Sequence, residues 1–270
     1  MSRHINSDVT FFDICSSSKI TEDLSQNDEL AIWRKTLKSI EKKLDNKIKD
    51  LGFSVYKFLG DGWILIIEPK TNKKLLLDFF ASLCNMYLSY FRNNIEKRLS
   101  TKVEPIGLTF GLDIGNIYSI KISGKDEFMG PPLNIAARLQ SSIVSPNIRD
   151  DNPSNQLMMI RRNYIRHFQP FLKGKYVAIK AERTLKNIRN DDTFFCTRIW
   201  LHEPFRKDKI LNRPLSSFHI SSRVHNVMLA ANIKTINDLS RFNEEEMLRF
   251  RKIGTKEINE LKSLLGNFGL

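Results

Sequence analysis

The sequence predicts an α+β fold: a ferredoxin-like domain followed by a small all-α helical C-terminal domain. Three observations predict it. Short apolar runs bounded by turn residues alternate with long segments whose apolar residues recur at helical spacing. Their order reads β-α-β-β-α-β, with additions. Beyond residue 215 the strand signals stop and only short helical segments remain. The expected division is residues 1–200, a linker over 201–215, and the helical domain over 216–270.

Element by element, Val9 to Cys15 reads as a strand and Asp28 to Leu51 as one amphipathic helix. Phe53 to Leu59 and Trp63 to Glu68 form a hairpin around Gly60-Asp61-Gly62. Lys73 to Leu99 is a second long helix. Ile106 to Ile114 and Ile117 to Ile122 form another hairpin, turned at Gly115-Asn116. A third helix starts near Pro132, because proline is tolerated in a first turn, and runs to about Ile143. Ser145 to Asn155 is a polar loop, Leu157 to Phe168 a helix, and Tyr176 to Glu182 with Thr193 to Trp200 a closing strand pair. His202-Glu203-Pro204 and Asn212-Arg213-Pro214 punctuate the linker. The tail helices run over Ser221 to Ala231, Thr235 to Ser240, Asn243 to Arg249 and Thr255 to Phe268, with Thr255 capping the last.

Composition narrows the function classes. With 41% hydrophobic and 27% charged residues the chain reads as an ordinary globular protein. Its longest clean apolar run, Trp63 to Ile67, is far short of the roughly 20 residues of a membrane helix. Cys15, Cys84 and Cys196 are widely spaced, which points away from a disulfide framework or a CxxC metal site and toward a reducing cytoplasm. The net charge is +13. From Pro214 onward eight Lys and Arg stand against six Asp and Glu, so about +11 belongs to the first 213 residues. A basic domain attracts polyanions, nucleoside triphosphates among them.

The chemistry is carried by three blocks. Val9-Thr10-Phe11-Phe12-Asp13-Ile14 ends an apolar strand in a carboxylate, and Lys57-Phe58-Leu59-Gly60-Asp61-Gly62 places another at a hairpin tip. Hard cations such as Mg²⁺ take oxygen ligands, usually one or two carboxylates plus phosphate oxygens. In the third block Asn134 and Arg138 are four residues apart and share one helix face. The five histidines show no metal or acid–base spacing.

Asp13 in its strand, Lys57 to Gly62, and Phe128-Met129-Gly130-Pro131-Pro132-Leu133-Asn134-Ile135-Ala136-Ala137-Arg138 resemble, in order and approximate spacing, the catalytic domain of class III nucleotidyl cyclases over about residues 7 to 200. That resemblance implies a ribose 3′ oxygen attacking the α-phosphate while pyrophosphate leaves. It implies two divalent ions, Mg²⁺ or Mn²⁺, held by Asp13 and Asp61 with the carbonyl of Ile14. Asn134 would orient the ribose and Arg138 neutralise charge on the transferring phosphate. A late lysine for the terminal phosphates would be Lys186, with Lys173 and Lys175 as alternatives. One copy of each element implies a homodimer whose sites are shared across a two-fold axis.

Base selection in the resembled family rests on Lys57, which fits the adenine pattern, and on a position where this chain has Glu127, beside Asp126, in place of aspartate. With that drifted pocket and no evident sensor segment, the chain resembles the Pycsar pyrimidine cyclases of bacterial anti-phage defence. The implied product is cyclic UMP or cyclic CMP, from UTP or CTP. The alternatives are an adenylate cyclase making cyclic AMP, and a DNA-binding regulator with an inactive cyclase domain.

The tail has its own likeness. Ser222-Arg223-Val224-His225-Asn226, Ile236-Asn237-Asp238-Leu239 and Ile253-Gly254-Thr255-Lys256-Glu257-Ile258 resemble the C-terminal domain of the bacterial RNA polymerase alpha subunit. In that domain an Arg, an Asn, a Gly and a Lys track the minor groove; Arg223, Asn226, Gly254 and Lys256 occupy those positions. DNA or a protein partner would engage the tail there. Glu244-Glu245-Glu246 and a tail charge of only +2 weigh against DNA.

Overall fold

A computed structural model describes residues 4–143, 154–172, 176–188, 193–201 and 211–266. One eight-stranded sheet organises the larger part of it. Its strands are β1 (His4–Ile14), β2 (Phe53–Phe58), β3 (Gly62–Ile67), β4 (Leu108–Ile122), β5 (Lys125–Met129), β6 (Gln156–Ile160), β7 (Ala178–Thr184) and β8 (Thr193–Trp200). They lie in the order β2-β3-β1-β4-β6-β8-β7, with β5 paired to the far end of β4. Only β4 and β6 run parallel; every other pairing is antiparallel.

β1 lies between two strands, which is why Ser7 to Thr10 are all buried. Its even-numbered residues face α1 (Ser17–Gln26), α2 (Leu30–Asp45) and α4 (Lys73–Tyr90), the short α3 (Ile48–Leu51) leading into β2. There Phe12 stacks on Trp63 and Phe110, with ring centroids 5.1 and 5.2 Å away, and Phe80 stacks on Phe110 at 4.8 Å. Asn72 caps α4, its side chain accepting from the N–H groups of Lys74 and Leu75. Across the sheet, α5 (Pro131–Ile143) crosses β4 so closely that a Cβ at Gly111 would lie 2.0 Å from the carbonyl oxygen of Ala136. Only glycine permits that approach. Gln140 of α5 donates to the Thr109 hydroxyl at 2.8 Å, fixing the helix on the strand.

Four expectations are corrected. Residues 106–122 do not fold back at Gly115-Asn116: these pair with Ser7 and Asn6 of β1, and the chain turns at Ser123-Gly124. Both turn residues have positive φ, 51° and 78°, which suits a tight hairpin whose twist matches its strands. Gln156 to Ile160 is a strand where a helix was expected. The run Leu157-Met158-Met159 is buried on both faces, and continuous burial erases the period that separates a strand from a helix; the helical turns begin at Arg161. Asp28 to Leu51 is broken at Asn46-Lys47, and Ser17–Gln26 is a helix hidden by its serine-rich start. Thr255 is the first helical residue of its helix, not the cap: Gly254 supplies the first accepting carbonyl, to Ile258 N–H. The expected loop of residues 145–155 lies outside the described residues up to residue 153.

The C-terminal helices are α8 (Ser222–Ala230), α9 (Ile236–Leu239), α10 (Glu244–Leu248) and α11 (Thr255–Gly266), following α6 (Arg161–Asn163) and α7 (Gln169–Leu172). Thr235 with Asp238 and Asn243 with Glu246 form reciprocal capping boxes, so two very short helices have satisfied ends. Their apolar residues form a core that also takes in Val177 and Ile179 beside and within β7. Phe218 makes a β-bridge to Ile179, and Arg213 sits over the Trp200 ring at 5.6 Å. Leu215, at the end of the expected linker, is buried in that same core.

Candidate active site

Asp13 and Gly62 are register partners, so the hairpin tip bearing Asp61 is pinned beside the end of β1. The Asp61 carbonyl accepts the Ile14 N–H at 3.3 Å, and the Asp61 carboxylate accepts from the Ser17 hydroxyl at the start of α1. The Asp13 carboxylate accepts the N–H of Ile14 at 3.0 Å. The two carboxylates come within hydrogen-bonding reach of each other. Burial first, then the charge of Asp61, pushes Asp13 up to about 6. Gly62 makes room for this: a Cβ there would meet the Phe12 carbonyl oxygen at 2.9 Å and Asp13 Oδ1 at 3.1 Å. The side chain of Ile14 is buried in the core, so only its backbone could serve an ion.

Two converging carboxylates, with no basic side chain among the described residues lowering the cost of ionising Asp13, form a site that calls for a divalent cation. No third His, Cys, Asp or Glu joins them among the described residues. The rest of an ion's shell would therefore come from backbone, water or substrate oxygens, as is usual for Mg²⁺. Asp13 and Asp61 fit that role in their donor chemistry.

Asn134 and Arg138 both lie on the exposed side of α5, sharing a face as their spacing predicts. Within one protomer the structure does not join them to the carboxylates by any hydrogen bond or ion pair among the described residues. Lys186 is exposed in the turn between β7 and β8. Lys173 and Lys175 lie outside the described residues.

The two positions expected to select the base do meet. Lys57 Nζ lies 2.6 Å from the Glu127 carboxylate, although 70 residues separate them. Sequence reasoning missed the third member, Tyr56, whose hydroxyl donates to Glu127 and accepts the Phe128 N–H at 3.0 Å. Neighbours on a strand normally point to opposite faces. Here the β2–β3 register slips between Val55 and Lys57, and the extra residue, Tyr56, turns toward the same carboxylate as Lys57. Only the bulge could have revealed it, and a bulge has no signature in these residues. Hydrogen bonds from Lys57 and then Tyr56 hold Glu127 below its ordinary range. The Tyr56 ring packs edge-on against Phe128, centroids 5.1 Å apart.

In the helical tail, Arg223, Asn226, Arg251 and Lys252 line one groove. Gly254 adjoins it, and its N–H donates to Glu257 at 3.0 Å. Glu257 also pairs with Arg223 at 3.4 Å, placing a carboxylate on this face. Lys256 is exposed.

Comparison with solved structures matches this architecture. The adenylyl cyclase CyaB from P. aeruginosa superposes with a TM-score of 0.54 at 14% identity, covering 76% of this chain and 98% of that one. The guanylyl cyclase Cya2 gives 0.54 at 14% identity, covering 76% and 97%. A bacterial light-regulated adenylyl cyclase gives 0.52 at 16% identity, covering 76% and 54%. The family model for the C-terminal domain of the bacterial RNA polymerase alpha subunit matches residues 202–267. The alpha subunit of DNA-directed RNA polymerase from Salinibacter ruber is 47% identical over 62 residues, and that from Desulforudis audaxviator 37% identical over 68 residues. These alignments take in 23% and 25% of this chain, and the chain spans only 19% and 22% of those relatives' length. The larger part of the chain has the fold of a class III adenylyl or guanylyl cyclase domain, and the smaller part is similar to the C-terminal domain of RNA polymerase alpha.

Proposed function

We propose that the protein is a nucleotidyl cyclase that converts a nucleoside triphosphate to a 3′,5′-cyclic nucleotide and pyrophosphate. The observation that carries this reading is the convergence of Asp13 and Asp61, two carboxylates from distant segments held in one register pair and one clamp. Two Mg²⁺ or Mn²⁺ ions there would stabilise the attacking and leaving oxygens and lower the pKa of the 3′ hydroxyl. The protein's own part is positioning. Ser17 and Ile14 fix the two carboxylates, Asn134 orients the ribose, Arg138 neutralises charge growing on the α-phosphate, and Lys186 binds the terminal phosphates.

By the likeness to class III cyclase domains, Asn134 and Arg138 serve the carboxylates of a second protomer, and the working unit is a homodimer in which each supplies the other's site. Apolar exposure supports this. Phe58 and Leu59 at the hairpin tip and Tyr118, Ile122 and Met129 on the β4–β5 arm are each more than 40% exposed. Phe11, on the same face of β1 as Asp13, is only partly covered.

The favoured substrates are UTP and CTP. Glu127 already accepts from Tyr56 and Lys57, and the Tyr56 ring fills the space beside it, which favours a one-ring base. Second-messenger signalling in anti-phage defence follows from that product class. The test presents purified protein and Mn²⁺ with ATP, GTP, CTP and UTP in turn. Clear turnover of ATP alone overturns the pyrimidine assignment in favour of adenylate cyclase, and no turnover of any overturns the enzyme.

A second reading, a DNA-binding regulator, is favoured by the groove of Arg223, Asn226 and Lys252. A salt-dependent mobility shift of duplex DNA, abolished by Arg223→Ala, would support it.

A further inference from the structure

On the face of the sheet opposite Asp13, at the β7 edge that His219 reaches from the segment leading into the tail helices, two cations stand without a counter-charge among the described residues. Lys180 of β7 is the cross-strand partner of Thr197 of β8, so their side chains share a face. Thr197 in turn shares a face with Met159, which belongs to the α4-side core, whereas Thr109, the partner of Asp13, bonds to α5 on the other side. The Thr197 hydroxyl hydrogen-bonds His219 Nε2 at 3.1 Å, and His219 comes from the segment leading into the tail helices. Its ring stacks on Tyr164, centroids 4.5 Å apart. Arg161 lies three residues before Tyr164 in the same helical run, on the same side. Three segments thus bring Arg161, Lys180 and His219 around one threonine.

Among the described residues neither Arg161 nor Lys180 has a carboxylate within ion-pair distance, and Glu182, two residues along the same face of β7, pairs with neither. Both cations are partly buried. Burial first, then the charge of Arg161, lowers Lys180; burial and the same two cations push His219 down to about 3, so its ring is neutral. Two like charges drawn partly out of water beside each other gain from an anion between them. We propose that Arg161, Lys180 and the His219–Thr197 edge form an anion site that takes a phosphate group, free or carried on a nucleic-acid backbone. Arginine's planar fork suits two phosphate oxygens, lysine a third, and the His219 ring, held from behind by the buried Thr197 hydroxyl, supplies a neutral wall. A phosphate bound here would tie the helical tail to the β7–β8 hairpin whose turn carries Lys186.

The experiment is a thermal melt of the full-length protein in EDTA, which suppresses metal-dependent triphosphate binding, with sodium phosphate compared with sodium chloride at matched ionic strength. At about ten times Kd, phosphate should raise Tm by about 3 °C. Arg161→Met and Lys180→Met should each lose the rise while melting no lower than wild type in chloride, because each relieves repulsion. Lys180→Arg should keep it. A rise with a short DNA duplex but not with phosphate, lost in Lys180→Met, assigns the nucleic-acid backbone as the source. An unchanged rise in both Met variants, or no rise in wild type with either ligand, overturns the site.

Discussion

Gly62→Ala is the sharpest probe of the carboxylate pair, because its cost is steric and falls on Phe12 and Asp13 alone. The added Cβ would sit 2.9 Å from the Phe12 carbonyl oxygen and 3.1 Å from Asp13 Oδ1, where ordinary contact begins at 3.4 Å. The carbonyl would have to retreat by about 0.5 Å and the carboxylate by about 0.3 Å. Phe12 is fully buried between Trp63 and Phe110, so its backbone is poorly placed to yield. The end of β1 and the β3 start must therefore ease apart together, and the Asp13 carboxylate, which the same Cβ meets, is displaced with them. A misplacement of 1 Å at a reacting centre costs on the order of 10²-fold, so a few tenths should cost roughly tenfold in turnover. The accompanying overpacking should cost about 1–2 kcal/mol of stability. Gly60→Ala is the control. Gly60 has φ +95° with nothing within 4 Å of an added Cβ, so its cost is backbone strain of about 1–2 kcal/mol without steric displacement of Asp13. Pyrophosphate release with Mn²⁺ and the preferred triphosphate, beside melting curves, reads both variants. Wild-type turnover by Gly62→Ala, or a larger loss of turnover by Gly60→Ala at equal stability, would refute a steric displacement of Asp13.

Mixing Asp13→Ala protein with Arg138→Ala protein should recover activity that neither shows alone, at roughly one good site per mixed dimer; no recovery rules out shared sites. Lys73→Met should cost about 3–5 kcal/mol in urea melts, because it strands the fully buried Asp8 carboxylate that Lys73 now pairs. A cost under about 1 kcal/mol would show that Asp8 is already neutral there. Asp113 is buried and pushed up to about 6 from 3.8, chiefly by burial, so the folded state binds its proton more tightly than the unfolded state. Its contribution is therefore most favourable below about pH 4 and is lost as pH rises to about 6, by about 3 kcal/mol over two pKa units. Relative to wild type, Asp113→Asn should gain about that much between pH 4 and pH 7, and a flat difference would contradict the shift.

The carboxylate site was legible because each element that builds it is local. Phe11-Phe12-Asp13 is an apolar run with one charged end, and Gly60-Asp61-Gly62 is a turn with one carboxylate, so register alone brings them together. Asn134 and Arg138 share an exposed face for the same local reason, a spacing of one helical turn. Tyr56 was illegible because its role depends on a register slip set by the fit of β2 to β3. Leu157 to Ile160 misled because a strand buried on both faces has no alternation to show. Ser123-Gly124 lost to Gly115-Asn116 as the expected turn because both read alike; the length of β1, which reaches back to His4, decides between them by pairing with residues 115–118.

The placement of the helical tail changes how a signal could reach the active site. Without the tail, β7 would be an open sheet edge with Val177 and Ile179 uncovered, the kind of edge that natural sheets shield. Phe218 closes that edge by a bridge to Ile179 and His219 locks onto Thr197 and Tyr164, so the tail is packed into the sheet rather than tethered to it. At the far end of the same β7–β8 hairpin, beyond the Thr184–Thr193 pair, lies Lys186, proposed to hold the terminal phosphates. A ligand bound in the groove of Arg223 and Lys252 would act on a body that shares a core with the hairpin, and no long-range wire would be needed. Such coupling would have only two steps, tail to strand and strand to turn, and would require the bound and free tail to favour different hairpin positions.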